Sequence, residues 1–111
     1  MKRNNLFKSE AVPDQTAEEI VEPLIQTDRF KLERILSRGH ATPPGEWYDQ
    51  EMEEWVLLLK GGAGILFEGE SEIERMEPGD TLYIPGHRRH RVEWTDPGGE
   101  TLWLALHFIR G

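Results

Sequence analysis

The sequence predicts an all-β domain, a compact antiparallel barrel from about residue 30 to residue 108 with a polar pocket on its inner wall. Two observations carry this expectation. Apolar and polar side chains alternate over short runs, the pattern of strands with one buried face. Those runs are separated at close intervals by glycine- and proline-containing turns, a spacing that points to a sandwich or a barrel. At 111 residues the chain suits one domain with a real core and has no room for a second.

The elements follow in order. Residues 1–18 carry few apolar side chains and include Pro13-Asp14, so they are expected to form a flexible or loosely docked lead-in, tacked down at most by Leu6 and Phe7. Residues 19–111 are expected to form the single barrel domain. Its first stretch, 19–25, suits a short helix or an edge strand; Pro23 disfavours a helix interior and is tolerated at a sheet edge. Gln26-Thr27-Asp28-Arg29 reads as a hairpin turn into a strand over 30–37. Two prolines and two glycines between Arg38 and Gly45 make the next stretch a loop. Strands are then expected over 54–60, 63–68, 72–76, 81–85, 90–95 and 101–108. Alternation puts Trp103, Ala105 and His107 on one face of the last strand and Leu102, Leu104, Leu106 and Phe108 on the other. Both faces are apolar enough for one to line the barrel while the other meets a second sheet or subunit. In the strand over 90–95, His90, Val92 and Trp94 are expected on one face and Arg91 and Glu93 on the other.

Composition narrows the function. A net charge of −8, from 13 basic against 21 acidic residues, repels nucleic-acid backbones and anionic membranes. The chain has no cysteine, which removes disulfides, thiolate nucleophiles and Cys-based zinc sites together. The Met1-Lys2-Arg3 start leads only to the short apolar pair Leu6-Phe7, too little for a signal peptide or a spanning helix. A cytoplasmic protein is the default expectation.

Two segments go further. In Glu54-Trp55-Val56-Leu57-Leu58-Leu59-Lys60-Gly61 an acidic residue is followed seven positions later by a glycine that closes the strand. In the segment from Gly79 to His90, five residues separate Gly79 from Pro85, and His90 stands five beyond that proline. Together they resemble the two halves of the cupin signature, and the resemblance covers most of the chain from about Phe30 onward. More narrowly, the chain is similar to small conserved-barrel cupins with Trp-Tyr-Asp-Gln before the glutamate, here Trp47 to Gln50, and Arg-His-Arg-Val-Glu-Trp-Thr after the second motif, here Arg89 to Thr95.

The resemblance implies a double-stranded β-helix in jelly-roll form, often a homodimer. In metal-binding cupins the first motif supplies two histidines and a glutamate and the second one more histidine. Glu54 and His90 match by position, whereas Trp47-Tyr48-Asp49-Gln50 stands where the His-x-His pair belongs. Glu54 and His90 are therefore the expected core of a site for a divalent metal such as Zn, Fe, Mn or Ni, with Gln50, Asp49 and His87 as further candidate ligands. The other reading of the same pair is a buried Glu–His hydrogen bond in a pocket without metal.

Tyr48, Glu54 and His90 are the candidate catalytic residues; Tyr48 shares strand parity with Gln50 and Glu54, and its hydroxyl suits an acid or a ligand. His107 reads as a packed or interface residue, and His40 as a loop residue near the pocket mouth. Arg88, Arg89 and Arg91 suit either an anion clamp or, the favoured reading, pairing with surface acids such as Glu93. The expected function is binding or turnover of a small polar metabolite, as a metal-dependent isomerase, lyase or dioxygenase. The alternatives are a metal-free binding or sensing module and a dimeric scaffold.

Overall fold

The computed structural model describes residues 5–7 and 19–110. Apart from Asn5, Leu6 and Phe7, the expected lead-in lies outside the described residues. Leu6 does make a contact, its carbonyl accepting a hydrogen bond from Arg34 Nη1 at 3.1 Å.

The described residues hold eight strands. They are β1 (Ile20–Gln26), β2 (Phe30–Ser37), β3 (Glu53–Lys60), β4 (Ala63–Phe67), β5 (Glu74–Met76), β6 (Thr81–Ile84), β7 (His90–Thr95) and β8 (Thr101–Phe108). All pairings are antiparallel. One sheet runs β1-β2-β8-β3-β6 and the other β5-β4-β7. The fold is thus all-β, two antiparallel sheets of the jelly-roll type, as expected. The stretch after residue 19 forms an edge strand, where Pro23 lies beside a register shift against β2; an edge tolerates the missing N–H.

The sheets close on one core. Val56 and Leu58 from β3, Ala63, Ile65 and Phe67 from β4, and Trp103 and Ala105 from β8 pack together, with Leu58, Ala63 and Ala105 wholly buried. Each fully buried Leu or Phe contributes roughly 1.5–3 kcal/mol relative to exposure.

Register decides which side chains reach that interior, because residues directly opposite each other on paired strands share a face. Lys31, His107, Glu54 and Ile84 form one row across β2, β8, β3 and β6. Glu33, Ala105, Val56 and Leu82 form the next row. The neighbouring positions, including Leu32, Leu104, Leu106, Trp55 and Leu57, turn to the outer face.

In β7 the alternation breaks. Gly64 pairs with Trp94 but Ile65 with Val92, so Glu93 is an extra residue in the ladder. Such a bulge flips every side chain beyond it. His90 and Val92 face inward as expected, but Trp94 goes to the outer side, and Thr95, 2% exposed, takes the inner position. On the outside Trp94 lies against Gly64, where a Cβ would collide with the indole, and under the Arg75 guanidinium at 5.6 Å.

The loop between β2 and β3 follows β7 closely. Thr42 N–H donates to Val92 O at 2.9 Å, Tyr48 N–H to His90 O at 2.7 Å and His90 N–H to Tyr48 O at 3.1 Å. His87 N–H reaches Gln50 O at 2.7 Å. This docking needs Gly86, where a Cβ would meet Glu51 O at 2.5 Å. The two signature segments are thereby locked side by side.

Candidate functional site

The inner rows and the docked loop enclose a cavity of about 220 Å³. Most of its wall is apolar, with aliphatic side chains such as Val56, Ile65, Ile84 and Val92 and the aromatic Trp103 and Tyr48. Into it β3 delivers Glu54, β7 His90, β8 His107, β2 Glu33 and the loop Gln50.

Glu54 is the hub. Its Oε1 accepts a hydrogen bond from Gln50 Nε2 at 2.9 Å and lies 3.6 Å from His90 Nε2. Its Oε2 lies 3.8 Å from His107 Nε2. His107 Nε2 is itself 2.9 Å from Glu33 Oε1, and because a carboxylate only accepts, the imidazole donates there. Lys31 Nζ stands 3.5 Å from Glu33 Oε2 at the rim. Glu33, Glu54, His90 and His107 are each 8% exposed or less. Burial at that level strengthens each contact and makes an unpaired partner costly.

His90 has a fixed tautomer. Its Nδ1 lies 2.8 Å from the Arg88 carbonyl, which can only accept, so Nδ1 carries a hydrogen. In the neutral ring the lone pair is then on Nε2, facing the Glu54 carboxylate. Two acceptors thus face each other across 3.6 Å. Tyr48 stacks obliquely on His90, ring centroids 5.6 Å apart. Partial burial pushes its phenol above its ordinary value, the charges of Glu19, Glu54 and Glu46 push the same way, and the Thr42 side-chain hydrogen bond opposes them. At neutral pH Tyr48 is therefore a proton donor.

The structure brings Tyr48, Gln50, Glu54 and His90 together, as the sequence suggests. It does not bring Asp49 or His87 there. Asp49 Oδ1 bonds His87 Nδ1 at 2.9 Å, with side chains 47% and 69% exposed, and neither lines the cavity. The arginines pair with surface acids: Arg88 with Glu70 at 2.7 Å, Arg89 with Glu68 at 2.8 Å and Arg91 with Glu93 at 3.0 Å. His107 and Glu33 are site residues that the sequence reading missed. The alternation that set His107 beside Trp103 and Ala105 contained the signal, but only the β2–β8–β3 register shows that face to be the inner one.

These donors do not fit the metal sphere of the cupin signature. Among the described residues no group of three or more His, Asp and Glu side chains is arranged to hold a metal ion. Glu54 and His90 offer two ligands, whereas a catalytic metal site typically takes about three from the protein. Gln50 turns its amide nitrogen, a donor, toward Glu54, and His107 Nε2 is engaged by Glu33.

Comparison with solved structures finds the same architecture repeatedly. A protein from Ralstonia eutropha JMP134, provisionally named a mannose-6-phosphate isomerase, is 48% identical, with 98% of this chain and 99% of that one covered and a TM-score of 0.91. A cupin superfamily protein from Desulfitobacterium hafniense is 20% identical over 89% of this chain and 84% of its own, with a TM-score of 0.72. The polyketide cyclase RemF from Streptomyces resistomycificus is 24% identical over 99% and 80%, with a TM-score of 0.74; these last two likenesses concern the fold alone. No protein-family model matches the chain, and no curated protein does.

Proposed function

The chain belongs to the cupin superfamily, and from that premise we propose that its cavity binds a small polar metabolite and moves protons on it by acid–base chemistry of the aldose–ketose isomerase type. One observation carries the reading: a buried carboxylate, Glu54, is set between two imidazoles at 3.6 and 3.8 Å and faces a cavity. A carboxylate with that access is a base for a proton on carbon, and positioned general acid–base groups typically contribute 10²–10⁴-fold. The name of the Ralstonia eutropha protein, an isomerase name, supports the same reaction class.

On an α-hydroxy aldehyde, Glu54 takes the proton from the hydroxyl-bearing carbon, and that C–H pair becomes the enediol double bond. The carbonyl oxygen takes the Tyr48 proton. Glu54 then returns its proton to the former carbonyl carbon, while the other hydroxyl gives its proton back to the Tyr48 phenolate and becomes the new carbonyl. Atoms and charge balance over the cycle. Gln50 orients the carboxylate, and the Arg88 carbonyl holds the His90 ring so that Nε2 faces Glu54.

The test is incubation of the purified chain in D2O with a panel of short aldoses and ketoses, followed by proton NMR. Loss of the α-hydrogen signal, with deuterium in the isomerised product, supports the proposal. Binding of panel members without any exchange contradicts it and makes the domain a binding module. A thermal-shift series with Mn, Fe, Co, Ni and Zn salts belongs beside it, because tight stoichiometric metal would restore the metal-dependent reading.

We also propose a homodimer through the outer face of the larger sheet, where Leu32, Leu104, Leu106, Phe108, Trp55 and Leu57 form a contiguous, only half-buried apolar surface. Light scattering at twice the monomer mass supports it, and a monomer at all concentrations contradicts it.

A further inference from the structure

The electrostatics of the cavity constrain what enters it more tightly than the reaction type does. Among the described residues its wall carries three carboxylates, Glu19, Glu33 and Glu54, against one lysine, Lys31, which already stands 3.5 Å from Glu33, and two imidazoles, His90 and His107, which already face Glu54 and Glu33. The nearby arginines 88, 89 and 91 are engaged by Glu70, Glu68 and Glu93. A phosphate needs convergent donors, arginine or lysine side chains or a helix N-terminus, and no helix is present among the described residues. The Tyr48 phenol reports the same field, since after burial the charges of Glu19, Glu54 and Glu46 raise it.

Size narrows the ligand further. The volume of about 220 Å³ lies below the roughly 300–1,000 Å³ of pockets for drug-sized ligands.

We infer that the cavity is built for an uncharged, phosphate-free hydroxycarbonyl compound of short chain, whose hydroxyl groups donate to Glu54 and Glu33. This rests on the proton-transfer reading above and departs from the phosphorylated sugar in the Ralstonia eutropha protein's name.

Matched pairs test it: glyceraldehyde against glyceraldehyde 3-phosphate, and mannose against mannose 6-phosphate, with the full chain at low ionic strength. Saturation-transfer NMR reads binding, and deuterium incorporation reads proton transfer, so the two proposals fail separately. The expected result is that a neutral member binds and its phosphorylated partner binds at least about tenfold more weakly, a gap that narrows with added salt as charge repulsion is screened. Glu19→Gln is expected to narrow the gap by a few-fold.

Equal or tighter binding of the phosphorylated members overturns the inference, as does absence of binding by every neutral member. Binding of neutral members without deuterium incorporation leaves the ligand class standing and sinks the proton transfer. Exchange confined to phosphorylated members does the reverse.

Discussion

Removing His107 alone should damage this protein more than removing His107 and Glu33 together. His107 Nε2 donates to Glu33 Oε1 at 2.9 Å, and both residues are 8% exposed. Deleting one member of such a buried pair typically costs about 3–5 kcal/mol, because it strands the other charge. In His107→Leu the stranded Glu33 carboxylate keeps Lys31 at 3.5 Å, which moves the expectation to the lower end, about 3 kcal/mol. For a domain of this size that lowers Tm by on the order of 10–20 °C. The double variant Glu33→Leu/His107→Leu removes both members of the pair and should recover at least about 1 kcal/mol of the loss. Urea unfolding followed by tryptophan emission measures all four corners of the cycle. Costs below about 0.5 kcal/mol for the single variants, or strict additivity in the double, would refute the idea that this pair is a buried, mutually dependent unit.

Other expectations follow from the same geometry. Tyr48→Phe should lower turnover by about 10²-fold or more without unfolding the chain, since the backbone bonds to His90 remain. In the wild type, because the phenol is raised and acts as an acid, activity should persist until the pH passes about 10, which a pH–rate profile reads. The Glu100 carboxyl is held below its ordinary value by its Arg38 hydrogen bond and then by Lys60. Its stabilisation is therefore present above about pH 4.3 and fades as the pH falls through the lowered value, so the Tm difference between wild type and Glu100→Gln should shrink on acidification in that range. Gly64→Ala drives a Cβ into the Trp94 indole and to 2.7 Å from Ile73; overpacking of this kind costs about 1–3 kcal/mol, measurable by urea titration with a shift in tryptophan emission.

Much of the fold was legible in the sequence because turn chemistry is local. Glycine and proline at the strand ends located seven of the strands to within about two residues. The eighth, β1, is ambiguous between helix and strand in the sequence, since Pro23 marks an edge only once a neighbour exists to be paired with. What local patterning misses is register. The bulge at Glu93 has no compositional mark in the strand, so simple alternation sets Trp94 on the face of His90 and Val92, although it packs on the opposite side against Gly64. The motif residues Glu54 and His90 were readable from spacing, and Gln50 and Tyr48 from their parity with Glu54. Glu33 and His107 were not, because each comes from a different strand and meets Glu54 only across β2, β8 and β3. Asp49 and His87 stood at plausible spacings, yet the close approach of Gly86 to Glu51 turns them outward to bond each other.

The proposed chemistry lies on Glu54 inside the barrel, and none of it on the Asp49–His87 pair outside. The most direct measurement is the deuterium-exchange rate of one accepted substrate with wild type, Glu54→Gln, Asp49→Asn and His87→Ala, each checked for folding by circular dichroism. The predicted result is a loss of about 10²–10⁴-fold for Glu54→Gln and rates within about twofold of wild type for the other two. A folded Glu54→Gln that exchanges at the wild-type rate, or an equal loss in Asp49→Asn or His87→Ala, would contradict it.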